Sequence, residues 1–203
     1  MKKGFTEIIC VIDRSGSMGS IKDDAIGGFN SFLEAQQKLP GEASLTYVQF
    51  DQCYEVVHEN KPLQDVPLLD EQTYVPRGTT ALLDAIGKTI TDVGKRLSNT
   101  SEESKPEKVI MVILTDGQEN SSREYRLSGI KDMITHQKEK YLWEFMFLGA
   151  NQDAFEEAAM LGIDKGSTIS FDANSRGVFM AYNSINKTVS AYRGGVKNET
   201  KSK

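Results

Sequence analysis

The run VIMVIL at residues 109–114 constrains this chain more than any other stretch. Six successive apolar residues, four of them β-branched, do not alternate with polar ones, so a strand built from them needs cover on both faces. Residues 7–13 (EIICVID) have the same character, and both runs lead into an aspartate, Asp13 or Asp116. Between and after them lie stretches with helical spacing: Ile21, Ala25, Phe29 and Leu33, then Leu82, Ile86, Ile90, Val93 and Leu97. Short buried strands alternating with amphipathic helices predict a parallel sheet between two helix layers.

The rest of the chain fits that plan. Residues 43–50 and 53–58 read as two strands joined by a tight turn at Asp51 and Gln52, the one hairpin. A polar stretch with Pro62, Pro67 and Pro76 leads to Gly78-Thr79-Thr80 and the second helix. Ser20 and Asp23 form a capping box for the first helix. Residues 124–140 are helical, 143–148 strand, 153–161 helix and 168–171 strand. A final helix over 178–191 faces the core with Phe179, Tyr182, Ile185 and Val189. The expected fold is α/β: a doubly wound, Rossmann-like, mostly parallel sheet with one antiparallel edge strand and helices on both faces. Its 203 residues suit one domain, 1–196, with a polar tail over 197–203 that frays.

Composition narrows the function. Lys and Arg number 24 against 29 Asp and Glu, a net charge of −5, which argues against nucleic acid as a partner. The longest apolar runs, 8–12 and 109–114, fall far short of the ~20 residues that cross a bilayer. No apolar leader follows the two N-terminal lysines. Cys10 and Cys53 both lie in strand-like segments and read as buried free thiols. Together these features predict a cytoplasmic protein without membrane contact.

In doubly wound sheets ligands bind beyond the carboxyl ends of the strands. Three loops leave or approach those ends: Asp13-Arg14-Ser15-Gly16-Ser17, Gly78-Thr79-Thr80 and Thr115-Asp116-Gly117. They offer carboxylates and hydroxyls without a nearby imidazole or thiol, and oxygen-only ligation suits a hard cation. Gly16 and Gly19 permit the sharp turn that brings positions i, i+2 and i+4 around one point.

These motifs resemble the von Willebrand factor type A domain and its metal-ion-dependent adhesion site: Asp-x-Ser-x-Ser after the first strand, Gly-x-Thr-Ala-Leu-x-Asp-Ala before a helix, and Leu-Thr-Asp-Gly after the central strand. The resemblance spans residues 5–195 and fills all five metal positions. It implies that Ser15 and Ser17 ligate directly, and that Thr80, Asp13 and Asp116 act directly or through water. Mg²⁺ is the expected ion, with Mn²⁺ and Ca²⁺ accepted by the same oxygens. The open coordination position is left for a Glu or Asp of a protein partner. A stand-alone, intracellular chain of this kind resembles the bacterial or phage members, which act as scaffolds in multi-protein assemblies. Arg14, between ligands, is expected to be exposed or to meet a partner's acid. Asp84 is expected either to orient Thr80 or to complement the helix dipole, and Asn151 and Gln152 to border the site.

Other motifs carry less. Gly87-Lys88-Thr89 ends like a phosphate-binding loop, yet Leu82 replaces the required glycine and the triplet falls inside a helix. Ser17, Asp116 and His136 follow hydrolase order, but His136 is mid-helix and His58 is on an edge strand. Asn120 heads one of four N-x-[ST] triplets and sits at the rim of the metal loops. The best enzyme alternative is a metal-dependent hydrolase or phosphotransferase using Asp13 and Asp116, with Ser15 where its second acid belongs.

Overall fold

The computed structural model describes residues 1–150 and 153–195, so the expectations for Asn151, Gln152 and the tail 197–203 lie outside the described residues. The strands are β1 (Lys2–Asp13), β2 (Ala43–Phe50), β3 (Tyr54–Pro62), β4 (Pro106–Thr115), β5 (Glu144–Gly149) and β6 (Thr168–Ser170). The helices are α1 (Lys22–Gln37), α2 (Leu82–Ser98), α3 (Leu127–Tyr141), α4 (Ala154–Met160) and α5 (Ser175–Arg193). The strands form one sheet in the order β3-β2-β1-β4-β5-β6. Only β3 runs antiparallel, paired with β2 at one edge.

The apolar runs are fully buried because alternate residues serve opposite faces. On β1, Ile8, Cys10 and Ile12 pack with α1 and α5, while Ile9 and Val11 pack with α2 and α3. On α2, Leu82, Ile86, Ile90 and Val93 are buried. Removing these four from water is worth roughly 6–12 kcal/mol before entropy is counted. β1 and β4 are neighbours at the centre, and the chain winds to one side from β1 and to the other from β4. That reversal opens a crevice at their carboxyl ends, where Asp13 and Thr115 stand.

Some local expectations differ from the structure. A 3₁₀ turn over Gly16–Ile21 precedes α1, so Ser20 does not cap the helix; its hydroxyl donates to the Ser17 carbonyl at 3.2 Å. Cys10 is buried, but Cys53 is exposed because it belongs to the turn rather than to β3. The buried face of α5 runs through Val178, Tyr182, Ile185 and Val189. Phe179 lies off that stripe and is 64 % exposed.

Candidate metal centre

Three loops meet at the crevice. After β1 the chain turns at once: the Ser15 N–H donates to Asp13 Oδ1 at 2.6 Å, folding the loop back on its own aspartate. Asp13 Oδ2 accepts from the Thr115 hydroxyl at the end of β4, 2.6 Å away. Ser15 Oγ and Ser17 Oγ are 3.0 Å apart, and the Ser17 hydroxyl donates to Asp116 Oδ1 at 2.6 Å. Hydrogen bonds thus already join Asp13, Ser15, Ser17 and Asp116.

Thr80 enters from the loop before α2. Its N–H donates to Asn120 Oδ1 (3.0 Å), and its carbonyl accepts from the N–H groups of Asn120 (3.0 Å) and Ser121 (3.2 Å). The loop that carries Asp116 therefore clamps Thr80 on both sides of its peptide. Thr79 is exposed and donates its N–H to Gln52 Oε1 at 3.0 Å, whereas Thr80 is buried and turned toward the other loops.

Gly117 shows how closely the groups converge. A Cβ built there would lie 2.8 Å from Thr80 Oγ1, 3.4 Å from Ser17 Oγ and 3.6 Å from Ser15 Oγ. Hydroxyls from two loops face the bare Cα of the third, leaving a small oxygen-lined cradle. Among the described residues no three His, Cys, Asp or Glu side chains gather as a metal cluster. The donor set here is carboxylate plus hydroxyl, suited to Mg²⁺ and other hard cations. Both acids are destabilised as anions. Burial pushes Asp13 up to about 6 despite its hydrogen bonds, and burial likewise raises Asp116. A cation between them would reverse that penalty.

One expectation changes and another holds in part. Arg14 is neither exposed nor free for a partner: it is buried, with Nε donating to Asp51 Oδ2 (3.0 Å) and Nη1 to Gln49 Oε1 (3.2 Å) and Glu55 Oε2 (2.5 Å). Asp84 stands in the first turn of α2, as one of its two expectations has it, but its carboxylate is given to the N–H groups of Arg123, Glu124 and Tyr125 at 2.8–2.9 Å rather than to Thr80. Burial works to raise its pKa, and these three donors outweigh it, holding the carboxyl below the usual range. Glu119 completes the strap by accepting the Leu83 N–H at the start of α2. Sequence reading missed Asn120, Glu119 and Asp51 as supports, although Asp51 was visible as the polar residue in the hairpin turn. His58 lies on the edge strand β3, and His136 is exposed on α3 beside Tyr141.

No family model matches this chain, and no curated protein does. Solved structures do. The vWF domain of the type V pili tip protein Mfa5 from Porphyromonas gingivalis is 10% identical at a TM-score of 0.68, over 97% of this chain and 98% of that one. Proximal thread matrix protein 1 from the mussel byssus, solved with a zinc-occupied MIDAS motif, is 14% identical at 0.65, over 92% of this chain and 46% of that one. The ArnB paralog VWA2 from Sulfolobus acidocaldarius is 20% identical at 0.55, over 91% and 44%. The chain thus spans less than half of the latter two proteins. At such identities the likeness is one of fold.

Proposed function

Because the chain folds as a von Willebrand factor type A domain, we propose that it is a divalent-cation-dependent protein-interaction module. In this reading Asp13, Ser15, Ser17, Thr80 and Asp116 hold Mg²⁺, and the ion captures a Glu or Asp of a protein partner. The observation that carries it is the cradle at Gly117, where three hydroxyls from two loops face a third and Asp13 and Asp116 are hydrogen-bonded to its rim. Asp13 shares both oxygens with the Ser15 N–H and the Thr115 hydroxyl, so it lends an ion only part of its charge. An ion held largely by neutral hydroxyls stays attractive to an incoming carboxylate, which is a binding mechanism and needs no bond-making step. The pilus-tip and byssus neighbours support an interaction role at the level of fold.

The alternative, a hydrolase or phosphotransferase using Asp13 and Asp116, draws less support. Ser15 stands where a second acid is needed, and both histidines belong to other parts of the surface.

Calorimetric titration of Mg²⁺ into chelator-treated protein tests the proposal. Wild type is expected to bind, and Asp13→Ala and Asp116→Ala to lose binding while remaining folded. Gly117→Ala, which sets a methyl 2.8 Å from Thr80 Oγ1, is expected to weaken binding without touching either carboxylate. With the ion bound, a glutamate-containing peptide should bind and chelator should release it. Ion binding that survives both aspartate substitutions overturns the assignment.

A further inference from the structure

We infer that Asp51, which is outside the ligand set, is the positioning residue that fixes two of the ligand loops at once; the inference rests on the metal-binding reading above. Asp51 is fully buried in the turn between β2 and β3. Its Oδ2 accepts from Arg14 Nε at 3.0 Å and from Arg77 Nε at 2.9 Å. Its Oδ1 accepts the Cys53 N–H at 2.6 Å, which shapes the turn, and its carbonyl accepts the Ala81 N–H at 3.0 Å. Arg14 stands between Asp13 and Ser15, while Ala81 follows Thr80 directly and Arg77 lies just upstream. One residue thus grips the chain beside Asp13 and Ser15 on one loop and beside Thr80 on the other.

Besides Asp51, the two segments are joined by the Arg77 N–H to the Arg14 carbonyl (2.7 Å), the Gly16 N–H to the Gly78 carbonyl (3.1 Å) and the buried Tyr74 hydroxyl to the Asp13 carbonyl (2.5 Å). Asp51 adds a charge-assisted contact to each loop, stronger than a neutral hydrogen bond, with each guanidinium giving one Nε–H to the same oxygen. Asp51 also has an electrostatic role. Arg14 carries a buried positive charge on the chain between Asp13 and Ser15, and a charge taken out of water needs a partner. Asp51, with Glu55 at 2.5 Å, balances that charge inside the protein. An asparagine in its place keeps the outline but sets an NH2 donor against one of these N–H groups, so it gives up a contact as well as the balance.

The test uses Mn²⁺ alone as the probe, with affinity measured by calorimetry and thermal stability measured in chelator on the same samples. Asp51→Asn is expected to weaken Mn²⁺ binding about tenfold or more, the usual effect of removing a support behind a metal ligand. Breaking a buried ion pair can also unfold a chain, so Arg77→Gln serves as the second variant. The Arg77 side chain is more than half exposed, and its loss should spare the fold, weaken Mn²⁺ binding in the same direction, and be recovered in Arg77→Lys. A purely structural role predicts lowered stability in chelator with unchanged affinity of the folded protein, and that result overturns the inference. If Asp51→Asn does not fold, the Arg77 pair decides. Wild type that fails to bind Mn²⁺ overturns the metal-site reading and this inference together. Wild type that binds, with variants that bind equally well, overturns the positioning role alone.

Discussion

At the carboxyl end of the sheet, Asp51 is buried with both oxygens in use, balanced by two arginines and tied by its own backbone to the start of α2. At the amino end, Glu7 is equally buried and faces Arg96, but the match is looser. Its Oε1 accepts from Arg96 and from the Thr46 hydroxyl, while Oε2 has no hydrogen-bond partner among the described residues. The same is true of Ser44 Oγ, which stands opposite Glu7 in the β1–β2 register, and of Arg96 Nε. Both ends solve the problem of a carboxylate inside a protein with a guanidinium. Only the carboxyl end connects that solution to loops that lead somewhere. Surplus contacts gather where geometry has to be held, and bare charge compensation suffices where it does not.

The strongest way to break this comparison is at Glu7. Glu7→Ala leaves the Arg96 guanidinium without its main partner and should cost about 3–5 kcal/mol in urea unfolding. The affinity of the remaining folded protein for Mn²⁺ should stay unchanged, and a parallel loss would mean that the two ends are coupled.

Acid titration sharpens the contrast from the other side. Asp13 titrates at about 6 in the fold against 3.8 ordinarily, and Asp116 is shifted upward too. The folded chain therefore holds the Asp13 proton more tightly than the unfolded one. In chelator, its contribution to stability is complete below pH 4 and is lost as pH rises to about 6, a change on the order of 3 kcal/mol. With Mg²⁺ present that fall is offset, because the ion needs the deprotonated pair and binds better as pH rises through that window. Melting curves taken from pH 4 to 7 with and without Mg²⁺ should coincide near pH 4 and diverge toward pH 7 with the Mg²⁺ curve above, and a constant gap would contradict the site.

The smallest effect is expected at the amino end again. Leu142, just before β5, takes a left-handed conformation (φ 57°) with its side chain in solvent. Leu142→Gly should raise stability by about 1 kcal/mol, read from the urea midpoint, and leave ion binding alone.

Much of this was legible in the chain itself. The two uninterrupted apolar runs announce strands covered on both faces, because a half-wet strand could not carry them. Asp13, Ser15 and Ser17 are legible because their geometry is local: one tight turn after a strand converts i, i+2 and i+4 into neighbours. Arg14 was not legible. Within its loop it looks like a solvent residue, and its fate is set by Asp51, 37 positions away. Asp84 was legible in part: its place in the first turn of α2 can be read from the sequence, but the backbone that satisfies it lies 39–41 residues downstream. The phase of α5 was ambiguous too, because Val178 and Phe179 are equally apolar and only packing against α1 and β4 chooses between them.

The reversal of strand order at β1 and β4 also sets when a ligand can act. Ser17 and Asp116 are 99 residues apart in sequence, and Asp13 and Thr115 are 102 apart. Contacts of such long range close late, once the crossovers on both sides of the sheet are in place. An ion bound across that crevice cannot seed folding, since nothing earlier offers it a complete grip. Its leverage falls on the unfolding rate instead. If the proposed ion binds, a loaded molecule would escape proteases longer than an empty one while refolding no faster.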